Sequence, residues 1–145
     1  MKKIISIIAT IVILTINNSC IQAQKNSSDK QILLMLKEFY SAYITEMSIG
    51  NPYTFKYKLD SIKKNYCTIK LIKELPILSK KADADPLLNA QDSNIDCLKT
   101  LTIEKDKKKQ NQYIVSYTDI YSKTRFIVKL FVVKENGCYK INSIL

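Results

Sequence analysis

The apolar residues of this chain change their spacing once. Between Ile32 and Leu75 they recur at steps of three and four; from Leu98 onward they alternate. The first spacing is that of a helix with one buried face, the second that of a strand. The changeover falls at Asp83 to Asp92, DADPLLNAQD, where three carboxylates and a proline share ten residues of a basic chain. Such an order confines the fold to the α+β class, with helices first and a sheet of consecutive strands after them.

In the helical half, Ser28-Asp29-Lys30-Gln31 reads as a capping box. Ile32, Leu36, Phe39, Tyr40, Tyr43 and Met47 then lie on one helix face. Gly50, as a left-handed cap, and Pro52 are expected to end that helix. A second helix starts near Pro52 and Tyr53 and buries Phe55, Leu59, Ile62 and Tyr66, with Lys56, Lys63 and Lys64 outside. A third spans about Thr68 to Leu75 with Ile69, Ile72 and Leu75 inward, and Pro76 is expected to end or kink it.

The second half predicts four strands. Leu98 to Lys105 places Leu101 and Ile103 on one face, and Gln112 to Asp119 places Tyr113, Val115 and Tyr117 on one face. Arg125 to Lys134 is apolar on both faces, which predicts a central strand covered on both sides. Asn136-Gly137 is a tight-turn signal, since both residues accept positive φ. Tyr139, Ile141 and Ser143 continue the last strand. The expected sheet is a four-stranded antiparallel meander curled around the first helix.

The N-terminus reads as an export signal. Lys2 and Lys3 precede the thirteen-residue run Ile4 to Ile16, the length of a signal core and short for a membrane span. Cleavage before Cys20 would give a lipid-anchored protein; cleavage after Ala23 would give a free one. Residues 1–23 are therefore leader, 24–30 a polar lead-in and 31–145 one domain, periplasmic or held in the envelope by Cys20. Beyond the leader there are 21 basic and 13 acidic residues, a net of +8. The lysines are scattered and Arg125 is the one arginine, which argues against a nucleic-acid groove. Cys67, Cys97 and Cys138 permit at most one internal disulfide, and their spacing does not choose it.

The phrases DADPLLNAQD, CLKTLTIEKD, YIVSYTDIYSK and VVKENGCYKI, with NPYTFKYKLDSIKKNYCTIKLI before them, resemble the exported bacterial domain-of-unknown-function 3828 family. The resemblance runs from about residue 32 to residue 145. It implies a cone related to the nuclear-transport-factor-two and cystatin folds, and carries no reaction with it. Cys97 stands where the family pattern has a large aromatic, which implies a less filled corner.

Catalysis finds little material in the chain. It has no histidine and two glycines, so histidine-assisted nucleophiles and a glycine-rich phosphate loop are absent. Asp83, Asp85 and Asp92 admit three roles: a general base, a weak calcium site, or caps at a helix-to-sheet corner. Pro86 holds Asp85 out of helical geometry, which fits the corner. Tyr40, Tyr43, Tyr113 and Tyr117 are core residues by their spacing; their hydroxyls could also line a cone pocket or a contact face. The expectation is a non-enzymatic exported binding domain without cofactor, binding an envelope or secreted protein of acidic character in the manner of an immunity or inhibitor protein. The alternatives are a small-ligand binder using the cone, and an enzyme with an aspartate base.

Overall fold

Residues 27–49 form the first helix, α1. The computed structural model describes residues 27–145, so the leader and Cys20 lie outside the described residues. Ser27 is already helical, which places Ser28 inside the helix rather than at its cap. Ile32–Leu145 form one compact unit. Within it, the stripe of α1 is buried at Ile32, Leu36, Phe39, Tyr40, Tyr43 and Ile44. Gly50 ends the helix for a different reason from the one expected. Its φ is not positive; a Cβ there would fall 2.3 Å from the Glu46 carbonyl, which accepts its N–H.

Helix α2, Phe55–Tyr66, buries Leu59, and Phe55, Ile62 and Tyr66 pack against the core. The chain then turns at Cys67 and Thr68. Thr68 donates its N–H to the Ile141 carbonyl, while its hydroxyl oxygen accepts from Leu71 N at 3.2 Å. That second bond caps helix α3, Ile69–Ala82. α3 departs from the sequence reading in its length and in one residue expected to face inward. Pro76 lies inside the helix without ending it, and Ile69 is exposed while Leu71 and Leu75 are buried. The Thr68 cap sets the helix phase, and Pro76 is exposed.

The described strands are β1 (Thr102–Lys105), β2 (Gln112–Thr118), β3 (Arg125–Glu135) and β4 (Cys138–Ile144), antiparallel in the order β1-β2-β3-β4. The α+β architecture is therefore the expected one, three helices packed on a four-stranded antiparallel sheet. Leu98 is not in a strand. Residues Ile95–Lys99 form a 3-10 turn, capped where the Asn94 side chain accepts from Asp96 N. The pairs Tyr113↔Leu130, Val115↔Val128 and Tyr117↔Phe126 carry the sheet's share of the core. β3 is internal, as expected, yet covered on one face only, since Ile127 on the other is 45% exposed. The helices occupy one side, so the second apolar face of β3 stays partly open. Asn136 and Gly137 have φ of 51° and 82° and make the last turn. A register slip between Phe131 and Val132 leaves Asn142 unopposed, which keeps both Ile141 and Ile144 toward the core.

Candidate functional site

The loop DADPLLNAQD is built into the interior. Leu87, Leu88 and Ala90 are buried, and Asp85 and Ala90 pair through their backbones. Asp83 takes the left-handed conformation that closes α3, at φ 51°, and Asn89 a second one at 55°. Three tyrosine hydroxyls from two distant elements converge here. Tyr40 donates to the Leu87 carbonyl at 2.9 Å and Tyr117 to the Leu88 carbonyl at 2.7 Å. Tyr43 donates to Asp85 Oδ2 at 2.6 Å. Burial holds all three phenols well above their ordinary pKa, with the Asp85 charge adding to the rise at Tyr43.

The sequence candidates therefore divide. Asp85, Tyr40, Tyr43 and Tyr117 meet at the loop, and Tyr113 is fully buried on the same sheet face. Asp85 Oδ1 accepts from Leu87 N at 2.8 Å, so both carboxylate oxygens are engaged in holding the loop. Asp83 and Asp92 are exposed and apart from that contact. Among the described residues, no three of His, Cys, Asp and Glu gather where they could hold a metal ion.

Two surface depressions border this loop. The larger, about 520 Å³, is a groove between the end of α3 and the start of β3. Leu78, Ala82 and Pro86 form one wall, and Ile127, Val128 and Ile144 the other. Lys81 and Lys129 stand at it, both exposed and, among the described residues, outside any ion pair. Ile77, 70% exposed, continues the apolar surface along α3. Sequence reasoning did not select these residues. Its signal was the second apolar face of β3, read as covered when it is open at Ile127.

The smaller depression, about 250 Å³, is lined by Asp92, Cys97, Tyr117, Asp119, Tyr121 and Phe126, with Ser93 and Asn94. The Cys97 side chain is itself buried, and burial pushes its thiol pKa up. Asp119 accepts from Tyr121 N and Ser122 Oγ, both at 2.9 Å, and these bonds hold its carboxyl below the usual range. Asp96 is lowered likewise by its hydrogen bond from Lys99. Of the residues singled out in the sequence for binding, Asp92 and Tyr117 reach this depression.

These features define an α+β domain whose loop is clamped by tyrosines and whose groove lies at the rim of the sheet. A crystal structure of a protein of unknown function from Bacteroides thetaiotaomicron VPI-5482 is similar, with a TM-score of 0.80 and 26% identity. The match covers 88% of this chain and 98% of that one. No family model matches the chain, and no curated protein does.

Proposed function

We propose that the chain is an exported member of the domain-of-unknown-function 3828 family, with its cone-type fold, and that it is a non-enzymatic binding module for an acidic envelope or secreted protein. The groove carries this reading: apolar walls with two unpaired lysines at their edge match a partner offering apolar side chains beside carboxylates. Its volume lies within the roughly 300–1,000 Å³ of ordinary binding sites. The leader supports export. The engagement of both Asp85 oxygens supports a structural rather than catalytic role for that aspartate. An inhibitor or immunity protein would work in this way, occupying a partner's surface without chemistry.

The test is a photo-crosslinking amino acid placed at Ile127 and, as control, at Lys107, in cells of the source organism. A protein of acidic composition crosslinked from 127 and absent from 107, and lost in Lys81→Glu/Lys129→Glu, is the expected result. Equal crosslinking from both sites would overturn the reading. Mass spectrometry of the same purified protein distinguishes lipidated Cys20 from a start at Gln24.

A second reading is favoured by the smaller depression, whose lining includes Asp92 and Asp119 together with Tyr117 and Tyr121. A small cationic ligand suits carboxylates beside aromatic faces. Titration with small primary and quaternary amines, followed by the amide resonances of 92–97 and 117–121, tests it; unmoved resonances would exclude it.

A further inference from the structure

Arg125, Ile127 and Lys129 are alternate residues of β3, so they share the sheet face that the helices leave open, and all three are exposed. Their partners across β2 on that face are Thr118, Ser116 and Ile114. Ser116 is buried there, at 5% exposure. Its hydroxyl oxygen accepts from Arg125 Nη2 at 3.0 Å. It also lies 2.8 Å from Thr102 Oγ1, which donates to the Ser116 carbonyl at 3.3 Å. With the Thr102 proton so placed, Ser116 donates to Thr102 and receives the guanidinium on a remaining lone pair. The sole arginine of the chain is thus held against the sheet by one nitrogen of its fork. Among the described residues, no carboxylate forms an ion pair with it. The one acidic residue of β1, Glu104, stands opposite Ile114, away from the Arg125 end of the face.

We propose that Arg125 is the anchor of the docking surface and seats a carboxylate of the acidic partner. The proposal rests on the groove being a binding face. Ile127 and Lys129 belong both to the groove and to this face, so the two surfaces are continuous. Neutral hydroxyls leave the guanidinium charge unmatched and the rest of its planar fork available to a bidentate acceptor. An arginine already held by Ser116 also has less freedom to lose on binding than one that swings in solvent. Buried arginine pairs of this kind dominate the energy of many interfaces. From Arg125 to Lys129 the strand advances about 13 Å. The matching partner surface offers a carboxylate to Arg125, an apolar side chain to Ile127 and a second carboxylate to Lys129.

The probe is the capped tripeptide Glu-Val-Glu, with Gln-Val-Gln as control, titrated into the purified protein. The first is expected to shift the Arg125 Nε–H resonance and the Ser116 and Ile127 amides; the second is expected to leave them in place. Arg125→Ala and Arg125→Lys are each expected to weaken binding at least fivefold, since lysine restores the charge without the fork. Ser116→Ala keeps the guanidinium, removes its hold, and is expected to weaken binding at least twofold. An unmoved Arg125 resonance, or parental binding by Arg125→Lys, overturns the anchor. Inorganic phosphate that moves the same resonances at equal concentration makes this a general anion site and overturns it too. In cells, a crosslinker at Thr118, opposite Arg125, is expected to capture the same acidic protein as one at 127, and Arg125→Ala to lower both yields at least fivefold. Capture from 127 that survives Arg125→Ala overturns the anchor while the groove reading stands. Capture of the chain itself from 118 overturns it in favour of a second copy. Loss of capture from 127 with the peptide shifts intact removes the groove reading and, with it, the partner assigned to Arg125.

Discussion

The Tyr43 hydroxyl lies 2.6 Å from Oδ2 of Asp85, 42 residues further along the chain, and donates to it. The other oxygen of the same carboxylate accepts from Leu87 N. One side chain thus fixes the loop's own turn and fastens it to α1. Asp85→Ala removes both bonds and strands a buried phenol, at a cost of about 2–4 kcal/mol. Tyr43→Phe should cost less, and the double mutant should fall short of the sum by about 1 kcal/mol or more. Urea unfolding of the four proteins measures this. Additive losses would show that the two groups are not coupled.

Stability should fall in alkali. The phenols of Tyr40, Tyr43 and Tyr117 are raised by burial above the ordinary value of 10.0. Above about pH 10 the unfolded chain releases these protons and the folded chain retains them, so the contribution is complete below that pH and declines above it. Each phenol adds a slope of about 1.4 kcal/mol per pH unit, about 4 for all three. Urea midpoints between pH 8 and 11.5 should be level first and then drop. Tyr43→Phe should remove about a third of the drop; a midpoint level throughout would contradict the burial of these hydroxyls.

Pro76 is a removable defect. It occupies the interior of a fourteen-residue helix, where it supplies no N–H to the Ile72 carbonyl. Pro76→Ala restores that bond and improves helix propensity, offset by greater freedom of the unfolded chain. A gain of about 1–2 kcal/mol is expected from thermal or urea denaturation. A loss would mean that the proline ring makes packing contacts of its own.

The three described cysteines are free, and they differ in access. Cys138 is exposed; Cys67 and Cys97 are buried, and burial pushes the Cys67 thiol up to about 12. Iodoacetamide on the native protein at pH 8, followed by peptide mapping, should label Cys138 alone of the three. Cys67 and Cys97 should react once the protein is denatured. Prompt native labelling of Cys67 would place the α2–α3 junction in solvent.

Much of the fold is written in short-range patterns. The stripe from Ile32 to Tyr43, the alternation of Tyr113, Val115 and Tyr117, and the Asn136-Gly137 turn each specify an element by local geometry. Their order specifies the class. Errors arise where a neighbour in space overrides the local signal. Asn94 caps a 3-10 turn in what reads as strand, Thr68 sets the phase of α3, and Gly50 is needed for the room it leaves beside Glu46 rather than for its conformational range.

The loop that joins the two halves shows the same division. Its sequence by itself determined a corner: Pro86 excludes helix before it, and aspartate and asparagine tolerate the turns at 83 and 89. Which side chains hold that corner was decided only in three dimensions, because Tyr40, Tyr43 and Tyr117 come from elements far apart in the chain. The groove belongs wholly to the tertiary structure. It lies between the end of α3 and the start of β3, far apart in the chain, where the helices cover one face of the sheet and leave Ile127 on the other.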